Sequence, residues 1–239
     1  MKNTFKIVVL LVAMAGLIVC CKKDQEETHT DIGYNYFPVK PGKYVIYNVD
    51  SIVMNSFTKK VDSFYFQIKE VIESVYTDNA GRPTLRLERY RKDSSKTLPY
   101  DQLKWVLKDV WSANRTNRAV EKVEENIRYV KLAFPVALNI SWNGNAYNTL
   151  DEWDYKIKEV NMPRTVGKIS FDSTLSVLQR DAEDLIDKKY YREMYAKNVG
   201  LIYKQIIDVH SDSINANPLM DRITKGIIKY TQTIKSFGG

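Results

Sequence analysis

From Tyr34 onward the chain alternates apolar and polar positions in short runs separated by turn residues, the pattern of strands with one buried face. Tyr44 to Ile52 follows Pro41-Gly42, a pair suited to the centre of a type II turn because proline presets φ and glycine accepts a positive φ. Phe64, Phe66 and Ile68 then alternate with Tyr65, Gln67 and Lys69. After the turn cluster Asp78 to Pro83, Leu85 and Leu87 alternate with Arg86 and Glu88. Leu103, Trp105, Leu107 and Trp111 share one parity, broken by Asp109, so this strand is expected to bury an aromatic face. Ala119 to Val123 and Ile127 to Phe134 read as a hairpin across Glu124-Glu125-Asn126. Further runs lie at Trp153 to Val160, Leu175 to Gln179, Tyr190 to Tyr195, Leu201 to Val209 and Ile227 to Ile234. Only Asp181 to Tyr191 carries helical spacing, through Ala182, Leu185, Ile186 and Lys189. The sum is about ten strands and little helix. It predicts a mainly β chain with a single antiparallel β domain over residues 34–239, either a curved half-barrel-like sheet or a two-sheet sandwich.

The first thirty residues follow a different rule. Lys2 and Lys6 flank a short polar start, and Ile7 to Val19 holds only apolar or small residues. A bilayer-spanning helix needs about 20 apolar residues, and this run meets Cys20, Cys21, Lys22 and Lys23 well before that. Residues 1–20 therefore read as a secretory signal peptide and stand outside the fold. The junction Ile18-Val19-Cys20-Cys21 resembles the lipobox of bacterial lipoproteins, in which a cysteine becomes the new N-terminus after acylation and cleavage. That resemblance implies lipidation of Cys21, with Cys20 as the fallback, because the small Cys20 suits the preceding position better than the β-branched Val19. Each buried methylene contributes about 0.8 kcal/mol, so two or three acyl chains such as palmitate make the attachment durable. Residues 21–33 then form the lipidated cysteine and a charged tether. The run Lys22 to Glu27 reads as a solvated spacer. It also resembles the acidic export signal of surface lipoproteins of Bacteroidota, which implies an outer-membrane location facing the cell exterior, the alternative being the periplasmic face.

Composition narrows the chemistry. Setting aside Lys2 and Lys6, basic residues exceed acidic ones by about five, and the two signs alternate, as in Glu88 to Asp93. Nucleic-acid binders gather their basic groups in a patch, so no nucleic-acid partner is expected. Once Cys20 and Cys21 are assigned to the junction, no thiol remains for a disulfide, a zinc site or a nucleophile. The histidines are His29 in the tether and His210 between Asp208 and Asp212; His210 is read as hydrated and paired. The sequence lacks the hydrolase, dinucleotide, P-loop and zinc-protease signatures. No catalytic residue, metal or cofactor is expected, and the chain is read as a non-enzyme.

Two further stretches carry a resemblance. Tyr36 to Tyr47, with Pro38-Val39-Lys40-Pro41-Gly42 ahead of an aromatic strand, resembles the opening of uncharacterised envelope lipoproteins of Bacteroidota. Met194 to Ile202 is similar to a late hairpin of the same proteins, with Gly200 serving the turn. The resemblance implies a half-barrel-like lipoprotein and carries over no catalytic residues.

Two candidate binding surfaces remain. Ile140 to Asp154 gathers Trp142, Tyr147 and Trp153 with three asparagines and three acids around Asn143-Gly144-Asn145. Such a loop suits sugar rings, whose C–H faces pack on indole, or two carboxylates across a glycosidic bond; it equally suits a loop pinned to a core by its aromatics. Trp105 and Trp111 with Phe64 and Phe66 would line an apolar groove if the sheet curves open, or simply fill a core. Three functions follow: a binding or structural envelope component attached to the membrane by its lipid and serving a protein, lipid or glycan partner; a carrier of an apolar ligand; and a glycan-binding or glycan-cleaving accessory.

Overall fold

The computed structural model describes residues 31–215 and 217–239. The signal peptide, Cys20, Cys21 and most of the tether lie outside the described residues. Strands β1 (Tyr44–Met54), β2 (Val61–Thr77), β3 (Pro83–Asp93), β4 (Val106–Arg115), β5 (Ala119–Glu124) and β6 (Ile127–Ala133) form one meander. Strands β7 (Ser141–Asn143), β8 (Asp154–Val166), β9 (Ile169–Glu183), β10 (Asp187–Ala196), β11 (Gly200–His210) and β12 (Lys225–Gly238) form a second. The two join side by side through the antiparallel pair β1 and β12, giving one twelve-stranded sheet of order β6-β5-β4-β3-β2-β1-β12-β11-β10-β9-β8-β7.

The sheet curls until its edges meet, and the half-barrel expectation holds where the sandwich does not. The Val130 N–H of β6 donates to the Gly144 carbonyl just after β7 at 2.8 Å. The Trp142 indole of β7 donates back to the Val130 carbonyl, also at 2.8 Å. Curling turns one face of every long strand inward. Val45, Tyr47, Val49, Phe66, Ile68, Phe171, Met194, Ile202 and Ile234 form one buried cluster, and Tyr36, Val120, Leu132, Tyr155, Ile157, Leu175, Val177 and Tyr195 another.

Several turns follow their residues. Gly42 has φ 87° and the Lys43 N–H reaches the Lys40 carbonyl at 3.4 Å, as the Pro-Gly pair requires. Glu125 and Asn126 both take positive φ, the geometry that matches a two-residue hairpin to strand twist. The two stretches that carry the lipoprotein resemblance meet in space. The Asn198 N–H donates to the Asn35 carbonyl at 2.7 Å, Lys43 Nζ to the Asn198 carbonyl at 2.8 Å, and Pro38 lies against Gly200.

Three expectations need correction. Asp181 to Tyr191 is not helical: β9 and β10 run into it from both sides, and Asp184 Oδ1 accepts the N–H groups of Ile186 and Asp187 at 2.8 Å to make the turn. Leu185 is 64% exposed at the tip, so the apparent helical stripe has nothing to pack against. The face of β4 is not uniformly buried either. The ladder with β3 pairs Arg89 with Asp109 but Tyr90 with Leu107, which makes Lys108 an extra residue and reverses the parity; Leu107 is consequently 49% exposed. Twelve strands replace about ten because the 140–154 loop contains the short strand β7 and the hairpins are more numerous than the alternation resolves.

Candidate functional site

Curling the sheet brings charged side chains of six strands together inside it. On β5, alternation sends Lys122 and Glu124 inward along with Val120. Lys122 Nζ bonds both Glu70 oxygens of β2 at 3.0 and 2.9 Å. Arg89 of β3 lies 3.5 Å from Glu70 and stacks over the Trp111 ring of β4 at 3.6 Å. Glu124 lies 3.6 Å from Lys131 of β6 and 3.7 Å from Lys204 of β11. Glu193 of β10 lies 2.6 Å from Lys131 and 3.6 Å from Lys204, and it accepts the Tyr195 hydroxyl at 2.6 Å. Lys131, Lys204, Glu124 and Glu193 thus form a closed ring of alternating sign. Glu193 is 1% exposed; an unpaired charge there would be prohibitively costly, and each ion is held by its opposites.

The same contacts set the protonation states. Burial pushes the Glu124 carboxyl up, but Lys131, Lys204 and Lys122 outweigh it and hold the group well below its ordinary 4.5. Burial likewise opposes the charged form of Glu193, and Lys131 and Lys204 bring it below the same value. Lys131 is pushed down by burial and lifted further by Glu124 and Glu193, so it stays charged beyond its ordinary 10.5. The phenols around the ring are held in their neutral form instead. Burial, then neighbouring carboxylates, raises Tyr195 well above 10, and burial does the same to Tyr47 and Tyr155. Tyr230 is pushed up to about 12, by burial first.

Two adjoining cavities border this ring and share Glu124, Tyr129 and Lys204. One, of about 260 Å³, lies against Arg89, Trp111 and Tyr230. The other, of about 370 Å³, lies between the ring and the 140–154 loop, against Trp153, Tyr155, Gln179 and Tyr191.

The five aromatics singled out in the sequence separate. Trp153 lines the larger cavity and meets the Tyr191 ring edge-on at 4.9 Å. Trp111 lines the smaller one under Arg89. Trp142 is pinned by its indole bond to Val130 and its contact with Tyr155, with ring centroids 5.9 Å apart. Tyr147 stands 59% exposed on the loop. Trp105 precedes β4, beneath the Lys92 ammonium at 4.7 Å. Phe64 is 48% exposed whereas Phe66 is in the core, so the four aromatics of the expected apolar groove do not share a surface. The loop itself is internally bonded: Asn143 Oδ1 accepts the Asn145 N–H at 2.8 Å, and the Asn145 amide donates to the Asp151 carbonyl at 2.6 Å. His210 Nδ1 lies 2.8 Å from Asp187, while the neighbouring Ser211 hydroxyl is committed to the Ser213 carbonyl at 2.9 Å.

Lys122, Glu124, Lys131, Glu193 and Lys204 escaped the sequence reading because charges at strand positions normally face water. One signal was present: Glu193 shares its parity with Tyr191 and Tyr195, which places a carboxylate on an aromatic face.

Fold and site together define an antiparallel, barrel-like β protein with an interior of paired charges. No family model matches the sequence, and a comparison with curated proteins found none that matches. Two solved structures are similar to it. One is from Bacteroides fragilis, provisionally described as an exported protein with a YmcC-like fold; it is 9% identical, the match covers 85% of this chain and 98% of that one, and the TM-score is 0.43. The other is from Parabacteroides distasonis, provisionally described as a lipoprotein; it is 12% identical over the same shares, with a TM-score of 0.41.

Proposed function

We propose that this chain is a lipoprotein of the cell envelope, held in the outer membrane by acyl chains on Cys21, and that its barrel-like domain is a non-enzymatic binding component. The junction carries the first half of the reading: an apolar run too short to span a bilayer ends on Cys20-Cys21 and a charged tether. The Lys22 to Glu27 run favours the outer face of that membrane. The second half is supported by the direction of the interior shifts. A general acid or base working at neutral pH needs a carboxyl raised, or an amine lowered, toward 7. Glu124, Glu193 and Lys131 are all moved the opposite way, into their charged forms. An ionic interior also disfavours an acyl chain, which would strip water from lysines and carboxylates without replacing it.

Metabolic labelling with a palmitate analogue, in cells able to process lipoproteins, tests the anchor. The label is expected on the wild type and on Cys20→Ala and absent from Cys21→Ala. The reverse pattern would move the anchor to Cys20, and an unlabelled wild type would remove it. Protease shaving of intact cells reads the orientation: degradation supports the outward face, and full protection places the domain in the periplasm.

A further inference from the structure

Strand β9 carries an irregularity that the ionic ring does not explain. Its ladder with β10 pairs Tyr191 with Arg180 but Arg192 with Leu178, leaving Gln179 as the extra residue. A bulge breaks the ladder locally and leaves the extra residue out of the pairing. Gln179 continues the inward parity of Leu175 and Val177, lies 3% exposed against the larger cavity, and its Nε2 has no hydrogen-bond partner among the described residues. A buried donor left without an acceptor costs about 1–3 kcal/mol. The side chain lines the cavity, and an acceptor on a molecule there would meet the donor once the amide turns toward that lining.

The remaining walls specify the occupant. Trp153, Tyr155, Tyr191 and Tyr129 supply aromatic surface. The hydroxyls of Tyr129 and Tyr155 have no protein partner among the described residues, and burial keeps both phenols neutral, so each both donates and accepts. The lining holds Lys131, Lys189 and Lys204 against Glu124 and Asp151, and Glu193, buried behind the wall, balances the third lysine through its contacts with Lys131 and Lys204. The cavity therefore offers no net charge to hold an ion, and its polar lining opposes a purely apolar guest. At about 370 Å³ it falls at the lower end of the roughly 300–1,000 Å³ usual for small-ligand pockets.

We propose that the cavity bounded by Tyr129, Trp153, Tyr155, Gln179, Tyr191 and Lys204 binds a small neutral polyhydroxylated ring, one or two sugar units in size. The ring's C–H faces lie on the aromatic walls, and its oxygens accept from the Gln179 amide and exchange hydrogen bonds with the phenols. This rests on the reading of the domain as a binding component and names the class of what it binds.

The test titrates the full chain, purified in a non-glycosidic detergent, with glucose, N-acetylglucosamine and maltose, and in parallel with citrate and hexanoate. Binding is followed by saturation-transfer NMR and tryptophan fluorescence. At least one saccharide is expected to bind. Gln179→Met, which keeps the shape and removes the donor, is expected to weaken it about tenfold. The same variant melts at or above the wild-type temperature, because an unmatched donor has gone. Trp153→Ala abolishes the binding, and Tyr147→Ala, outside the cavity, leaves it unchanged. Saccharide binding indifferent to Gln179→Met and Trp153→Ala would overturn the site. Binding of citrate or hexanoate alone would overturn the ligand class and leave the binding reading standing. Silence from all five probes would overturn both.

Discussion

Glu193 is 1% exposed and keeps its charge through two bonds of 2.6 Å, from Lys131 and from the Tyr195 hydroxyl. Removing one member of such a pair strands the other, so Lys131→Met is expected to cost about 3–5 kcal/mol in chemical denaturation. Removing both, as Lys131→Met with Glu193→Gln, should recover part of that loss. Gly144 illustrates a different constraint. An added Cβ would stand 2.3 Å from the Tyr155 ring, so Gly144→Ala should destabilise by about 1–3 kcal/mol through overpacking, read as a lowered denaturation midpoint. The sequence marked Gly144 only as a loop residue. Its real reason, an aromatic ring eleven positions on, is a tertiary contact that no local pattern carries.

Among elements, the most legible are those whose turn chemistry is local. The β5 and β6 hairpin follows from Glu125-Asn126, and the β10 and β11 hairpin from the approach to Gly200, because positive φ is affordable there and the flanking runs alternate cleanly. The least legible are those with bulges. One extra residue, Lys108 in β4 or Gln179 in β9, flips every side chain beyond it, so a parity count taken across the bulge puts Leu107 inside when it is out. The candidate site was half visible. Trp153 and Trp111 stood out by type, whereas Gln179 shares the inward parity of Leu175 and Val177 and nothing in its local pattern shows that its amide is left unmatched. The closing edge depends on β7, a strand of three residues. Trp142→Phe keeps the ring and removes the donor to the Val130 carbonyl. Faster amide exchange at Val130, whose N–H bonds Gly144, is the expected result, with about 1 kcal/mol lost from global stability.

At the scale of the whole molecule, the interior fixes how stability varies with pH. The folded carboxyls of Glu124 and Glu193 titrate below their ordinary 4.5, so their contribution is present above that value and lost as pH falls through their folded pKa values. Lys131, raised above 10.5, contributes fully below that value and loses its contribution as pH rises through its folded pKa. Tyr47, Tyr155, Tyr195 and Tyr230 remain protonated in the fold after the unfolded chain has begun to release their protons near 10. Each such group adds up to about 1.4 kcal/mol per pH unit to the alkaline decline. Urea titrations should therefore find a plateau across neutral pH, a loss below pH 4.5 and, with more groups contributing, a steeper loss above pH 10.

The joining of β1 to β12 was beyond the alternation pattern, which pairs strands across short turns but not across the length of the chain. This central seam has a kinetic meaning. Asp50 of β1 is joined to Lys229 of β12, 179 positions away. Before β12 is available the first meander has an open edge at β1, and Lys131 lacks Glu193. Contacts this distant in sequence close slowly, since the intervening chain must be ordered first. On this topology the leading half is expected to lock only when the trailing strand arrives, read as a refolding step that is lost when β12 is removed.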